Sequence, residues 1–399
     1  VQVTAPLQPR SRALEFGIYR DGDNNLDRSQ QYVLRQALTT SAADSSIEYN
    51  VQDTTSHGGF ALETDAYTIA DGTVKNVRKG YAHDMSSESN LARFVADTLD
   101  RAQKSGAVQT WIDLVDHGAG DGGGLEADST QGVMSMPNIA KAIADGVAVH
   151  AQEHPEDAKR NVDGVVANQC LMASMGFVDA LSHANVKYLA ASPETMVSPG
   201  VPSDVAHAIS SNAADPSAMA KSVVRDVMHT KYPYGSGPAA AFDVLDTSSV
   251  TVKNVENAIK TFNDTVATQT ASARAEIKSD VASIQGMVRF PEATPDMPWN
   301  ADRPAIALYN TIASDVKLDS SLRSDARQAA EAVANLVLAH GESKSFAPFD
   351  GANYKDAVGP TIHAPVNKSQ VDPWAPKISE TQNAFYKSVD QDKFVRAIA

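Results

Sequence analysis

The run Asp163-Gly164-Val165-Val166-Ala167-Asn168-Gln169-Cys170-Leu171-Met172 puts the chain's one cysteine at the end of a β-branched stretch. That stretch has the length of a single buried strand. Past the cysteine, Met172 to Leu181 reads as a helix with an apolar face. The thiol therefore stands at a strand-to-helix junction. In an open parallel sheet, sites gather at the carboxyl ends of strands. A helix N-terminus there would lower the thiol pKa and favour the thiolate. Cys170 is thus a candidate nucleophile. The alternative is a buried, inert thiol, which is common for free cysteine.

A matching piece lies upstream. Thr110-Trp111-Ile112-Asp113-Leu114-Val115 is a second apolar strand, and it runs into Asp116-His117-Gly118-Ala119-Gly120-Asp121-Gly122-Gly123-Gly124. Of ten histidines, His117 alone ends an apolar strand and meets a glycine-rich loop. His57, which precedes Gly58-Gly59, is its rival. Two strands, each ending in one half of a thiol–imidazole pair, is the arrangement a cysteine peptidase needs. For His117 the plain alternative is a satisfied loop histidine.

Between and around these strands the pattern alternates. Strands are predicted at 14–19, 47–52, 65–69, 110–115, 187–191 and 239–244. Helices are predicted at 26–38, 90–104, 138–150, 204–212 and 218–228. Leu91, Phe94, Val95 and Leu99 share one helix face. Strand–helix–strand alternation argues for a parallel sheet covered by helices. The later part reads as mostly helical, with helices at 250–278 and 325–339, Ser324 as N-cap of the second, and a late strand at 361–364. We expect an N-terminal arm at 1–13, a catalytic unit at 14–245, and a mostly helical region at 246–399 packed on it.

Val115-Asp116-His117-Gly118 and Cys170-Leu171-Met172 resemble the His-Gly and Cys motifs of clostripain-type cysteine peptidases, in the caspase, gingipain and legumain group (clan CD). Ile18-Tyr19-Arg20-Asp21-Gly22-Asp23-Asn24-Asn25-Leu26 is similar to that family's opening strand and loop. Weaker similarities follow at Asp84-Met85, at Phe242 to Asp246 and at Gly359 to Pro365, so the resemblance spans nearly the whole chain. It implies a caspase-like three-layer α/β/α sandwich with a mostly parallel central sheet. It also implies a Cys170/His117 dyad, with oxyanion donors from the backbone of Gly118 and Cys170. The glycine is physically apt, because a side chain there would crowd the substrate.

Substrate choice is where the pattern departs. The family carries an acidic residue two before the cysteine, matched to a basic P1 side chain, and here that position is Asn168. A neutral amide offers no charge to a Lys or Arg. Arg20 replaces an uncharged residue. If Arg20 and Asn168 line the pocket, a neutral or acidic P1 residue becomes acceptable. Otherwise Asp116, Asp121, Glu126 or Asp128 supplies the charge, and family precedent favours basic P1. Relatives are made as zymogens and cut between histidine and cysteine, where Lys141, Lys159 and Arg160 lie. Self-processing there is expected by resemblance, and plain surface charge is the alternative.

Asp21 and Asp23, with Asn24 and Asn25, form an oxygen-rich cluster. It reads as turn chemistry, with a calcium site as the alternative because calcium takes such oxygens. No other cofactor is required. A net charge of −15 argues against nucleic acid as a partner. No segment approaches the ~20 apolar residues of a membrane span. The first residue is Val1 rather than Met, which reads as a form whose leader was removed; secretion or a bacterial cell-envelope location is implied by the family alone. A protein or peptide substrate is expected, acted on by a monomer or by self-cleaved heavy and light chains. Two other readings use the same residues: a catalytically weak peptide-binding homologue, and a thiol-dependent amide hydrolase or acyl transferase.

Overall fold

The computed structural model describes residues 12–56, 62–80, 84–130, 132–232, 238–284, 301–343, 356–366 and 384–398. His57, the arm before residue 12, most of the 232–237 junction and the 285–300 stretch lie outside them.

The first half alternates as its apolar runs require. In chain order come β1 (Leu14–Arg20), α1 (Asp27–Ala43), β2 (Ile47–Ser56), β3 (Leu62–Ala70), β4 (Thr73–Lys79), α2 (Glu88–Ser105), β5 (Gln109–Val115), β6 (Gly124–Ala127), β7 (Gly132–Met134), α3 (Met136–Glu153), β8 (Gly164–Asn168), α4 (Met175–His183), β9 (Tyr188–Ala191), α5 (Val205–Ser211), α6 (Pro216–His229) and β10 (Ala241–Asp246). After these come α7 (Ser249–Ala267), α8 (Ala271–Ser283), β11 (Asp302–Pro304), α9 (Ala305–Ser314), α10 (Ser320–Ala334), β12 (Val337–Glu342), β13 (Thr361–His363), α11 (Ala384–Ser388) and α12 (Gln391–Ile398).

Nine strands form one sheet in the order β12-β10-β9-β8-β5-β1-β2-β3-β4. The middle five, from β9 to β2, are parallel. Parallel strands need crossover helices, which cover both faces and bury the strands completely. So β1, β8 and nearly all of β5 are buried along their length. One apolar layer sets Phe94, Val95 and Leu99 of α2, Ile139 and Ile143 of α3 and Phe177 of α4 against the sheet. On the other face sit Val33 of α1, Ile209 of α5 and Val223 of α6. This is the expected three-layer α/β/α sandwich with a mostly parallel sheet.

Three elements differ from the sequence reading. The helix expected over 250–278 is two helices, because the Thr270 hydroxyl accepts the Ala273 N–H at 3.2 Å and starts α8 afresh. The helix expected over 325–339 runs instead from Ser320 to Ala334, so Ser324 lies inside it and is no N-cap. The residues after it become β12, pairing antiparallel with β10. There the imidazole of His340 meets the buried Asp243 carboxyl at 2.8 Å. Finally, β3 is longer than expected and turns back into β4, an edge strand with Lys75, Arg78 and Lys79 exposed. Such charges guard a sheet edge against further pairing.

The C-terminal segment is not separate from this core. The apolar layer over α4 continues without a break into Phe262, Tyr309, Phe385 and Phe394.

Candidate active site

The parallel register of β5 and β8 aligns Val115 with Asn168. Two residues beyond that pair stand His117 on one strand and Cys170 on the other. Both therefore leave the carboxyl edge of the sheet side by side. Gly118 confirms the closeness: a Cβ added there would collide with the Cys170 carbonyl and sit 3.0 Å from its nitrogen. Gln169 fastens the two loops by donating its amide to the His117 carbonyl at 2.8 Å. Among the described residues, the Gly118 N–H has no backbone acceptor, and the Cys170 N–H turns toward its own sulfur.

Cys170 is half-buried. Its sulfur accepts the Met196 N–H at 3.3 Å. Burial pushes the thiol pKa up; the Met196 N–H opposes this, and the carboxylates of Glu194 and Asp116 add to it. The sequence reading expected a helix N-terminus to lower this pKa. Instead α4 begins at Met175, five residues on, with Ser174 as its cap. The intervening turn holds Leu171 at φ 65°, a left-handed conformation costly for a branched side chain. The Leu171 N–H is fixed by the Glu194 carbonyl at 3.1 Å, and the Ala173 N–H by that of Ser192 at 3.0 Å. The Ser192–Met196 segment thus grips the Cys170 turn. Its place just after β9 puts it at the same sheet edge.

His117 is also half-buried, and burial lowers its pKa while Glu126 and Asp128 pull it upward. Its Nε2 lies 2.9 Å from Asn25 Oδ1. An amide oxygen only accepts, so Nε2 carries the proton and Nδ1 is left as the basic nitrogen. Asn25 was read as turn or cation chemistry; its role toward the imidazole was missed.

Behind the histidine, the glycine-rich loop is held from the C-terminal segment. Asp121 accepts from the Ser174 hydroxyl at 3.0 Å and from the Tyr386 hydroxyl. Tyr386 in turn accepts the His363 N–H at 3.1 Å. Burial and the Asp302 carboxylate push the Asp121 carboxyl up to about 6.

Several candidate residues stand apart from this chemistry. Arg20 is fully buried and all its donors are committed: Nε to Asp53 at 2.6 Å, the terminal nitrogens to Thr54 O at 3.1 Å and to Asp27 at 3.0 and 3.1 Å. It has no free charge for an acidic P1 side chain. Asn168 is buried too, with its amide clamped on the Val201 backbone at 2.6 and 3.0 Å. A Cβ at Gly200, which has φ 84°, would collide with it. Both side chains are thus engaged by the chain itself, Arg20 by Asp53, Asp27 and Thr54 and Asn168 by Val201. Asp116 is likewise buried, accepting from Asn24 at 2.6 Å and from the Glu126 N–H. Asp21 holds the Asp23 N–H at 2.9 Å, and Asp23 holds the Ser129 N–H at 3.0 Å. Asp21 therefore serves the turn, and Asp23 ties it to the segment after β6. Among the described residues, groups of three or more metal-ligating side chains occur elsewhere.

Lys141 is an exposed residue of α3 paired with Asp145 at 2.5 Å. Lys159 is exposed, but Arg160 is tied to Asp157 at 2.5 Å and to the Ala107 carbonyl at 2.9 Å. Both precede β8, whereas Cys170 follows it. The Lys159-Arg160 turn and the thiol therefore lie at opposite ends of the sheet.

No protein-family model matches the chain, and no curated protein does. Its structure is similar to that of an inactive zymogen C11 protease from Parabacteroides distasonis, with TM-score 0.64 and 17% identity over 96% of this chain and 99% of that one. It is equally similar to iotapain, a secreted C11 cysteine protease from Bacteroides thetaiotaomicron, with TM-score 0.64 and 14% identity over 95% of this chain and 99% of that one. It is likewise similar to a secreted C11 cysteine protease from Bacteroides thetaiotaomicron solved in complex with an irreversible peptide inhibitor, with TM-score 0.64 and 14% identity over 95% of this chain and 99% of that one. At such identities the likeness is one of fold: the chain has the architecture of the C11, clostripain-like cysteine proteases.

Proposed function

We propose that the protein is a cysteine endopeptidase with Cys170 as nucleophile and His117 as general base and acid. The observation that supports this is the β5–β8 register, which brings the strand ends that lead to His117 and Cys170 next to each other at the carboxyl edge of a C11-type sheet. Opposite pKa shifts, up for the thiol and down for the imidazole, describe a resting pair that is neutral. On substrate binding, the thiol proton passes to His117 Nδ1 as sulfur attacks the scissile carbonyl. The N–H groups of Gly118 and Cys170 receive the oxyanion. The imidazolium then protonates the leaving amine, and His117 next deprotonates the water that hydrolyses the thioester.

A basic P1 residue fits the surrounding charge. Glu126 and Asp128 act on His117, Glu194 and Asp116 act on Cys170, and Arg20 is neutralised by its own carboxylates. Glu126 and Asp128 are exposed and free to meet a cation at the cleft. Cutting at Lys159 or Arg160 would be the work of a second molecule, since the chain's own thiol is across the sheet. Secretion is supported by the description of iotapain as secreted. No described helix is long and apolar enough to cross a membrane.

The test is a P1-scanning peptide library on wild type and Cys170→Ala. Cleavage after Lys or Arg, lost in the variant, is the expected result. No cleavage by either protein, with Cys170 inert to an alkylating probe, would replace the peptidase with a peptide-binding homologue. Cleavage of small amides alone would make it an amide hydrolase.

A further inference from the structure

A second cluster of reactive side chains lies at the end of the sheet away from the thiol. Asp100 comes from α2, near its junction with β5. His150 and His154 come from the last turn of α3 and its C-cap. Four residues apart, the two imidazoles share a helix face, with ring centroids 5.1 Å apart. His150 Nδ1 is 2.7 Å and His154 Nε2 is 3.3 Å from one and the same atom, Asp100 Oδ1. The far nitrogen of each ring faces another carboxylate. His150 Nε2 is 3.4 Å from Asp157 Oδ2, and His154 Nδ1 is 3.4 Å from Glu156 Oε1. The His150 side chain is fully buried, and its Nε2 makes no hydrogen bond.

This arrangement has a proton-counting problem. A neutral imidazole has one N–H and one lone pair. Here both nitrogens of both rings face carboxylate oxygens. With neutral rings, two lone pairs are therefore turned toward oxyanions. A cation on the inner side removes the conflict. It would take the lone pairs of His150 Nδ1 and His154 Nε2 together with the Asp100 carboxylate. The remaining N–H groups would then point outward at Asp157 and Glu156. Ligating histidines ordinarily donate their other N–H to such an outer carboxylate. Histidines four apart on a helix are also the spacing of helical zinc ligands. Two imidazoles and one carboxylate suit zinc and its neighbours, not the all-oxygen preference of calcium or magnesium.

We propose that Asp100, His150 and His154 bind a divalent transition-metal ion, zinc by donor chemistry, with Asp157 and Glu156 orienting the rings. One ligand atom from each of the three residues lies within 4.8 Å of the others. The ion would tie α2 to the end of α3 and to the turn before β8. Its role is structural, since the catalytic candidates lie at the other end of the strands. Because Asp157 also grips Arg160, the ion would stiffen the Lys159-Arg160 turn.

The test is a calorimetric titration of Zn²⁺ into the metal-stripped whole chain carrying Cys170→Ala, which removes the competing thiol. Uptake of one equivalent and a rise in Tm are expected. Adding His154→Gln or Asp100→Asn to that background should weaken binding by roughly tenfold or more and abolish the rise. Adding His183→Gln, on the exposed side of α4, should change neither. No zinc uptake by the parent chain, or uptake unaltered by His154→Gln, overturns the site. His154 is part-exposed at a helix end, so its variant keeps the test decisive even if Asp100→Asn does not fold.

Discussion

His117 Nε2 and Asn25 Oδ1 stand 2.9 Å apart, so a residue of the first strand–helix loop fixes the tautomer of an imidazole on another strand. Replacing Asn25 by Ala frees the ring to turn and to take the other tautomer. A fall in kcat/KM of about tenfold or more is expected. Asn25→Asp is more diagnostic. A carboxylate at this distance favours the imidazolium and raises the His117 pKa. The acidic limb of the kcat/KM–pH profile should then move to higher pH, because the base must be neutral to act. A loop residue with only a structural role would lower activity without moving the limb.

Arg20→Met tests whether this arginine serves specificity or folding. The guanidinium is buried against Asp53 and Asp27, and removing it leaves carboxylates without their partner. A loss of about 3–5 kcal/mol is expected in urea unfolding. The P1 preference of whatever folded enzyme remains should be unchanged. A shift toward acidic P1 tolerance or intolerance, with stability intact, would return Arg20 to the pocket.

The resting state of the thiol can be read by alkylation. Burial raises Cys170 and lowers His117, and both shifts disfavour a preformed ion pair. The iodoacetamide rate should therefore climb with pH toward a midpoint above the free-thiol value of about 8.5. A rate already at its plateau near pH 6 would mean a thiolate–imidazolium pair.

How much of this was legible follows from where the signal lies in the chain. The strands that end at His117 and Cys170 are buried on both faces, so they read as unbroken apolar runs. Their shared edge followed from the alternation of strands and helices. By contrast, β4 is exposed along its whole length and has no apolar face to announce it. The residues Val337 to Glu342 become a strand because β10 offers them an edge, a tertiary fact with no local trace. Partners of the candidate pair came from far off: Asn25 for the imidazole, Met196 for the sulfur, Tyr386 behind the loop. Arg20 and Asn168 were placed correctly at strand ends. Which way a strand-end side chain turns depends on neighbours such as Asp53 and Val201, which spacing does not reveal.

The buried acid Asp21 supplies a pH test of the loop that carries Asn25. Burial pushes its carboxyl up to about 7, reinforced by the Asp23 carboxylate and opposed by the Asp23 N–H and by Arg20. Its Oδ2 is buried with no hydrogen-bond partner. In the unfolded chain the same group titrates near 3.9. The folded state therefore holds the proton more tightly. That contribution to stability is complete below about pH 4 and is lost as pH rises through about 7. Asp21→Asn keeps an oxygen for the Asp23 N–H but never ionises. It should be nearly neutral at pH 4 and stabilise the protein by on the order of 1–3 kcal/mol at pH 8, measured by urea unfolding. Parallel stability curves for variant and wild type from pH 4 to 8 would show that Asp21 titrates as an ordinary carboxyl. The loop would then be held by its hydrogen bonds alone.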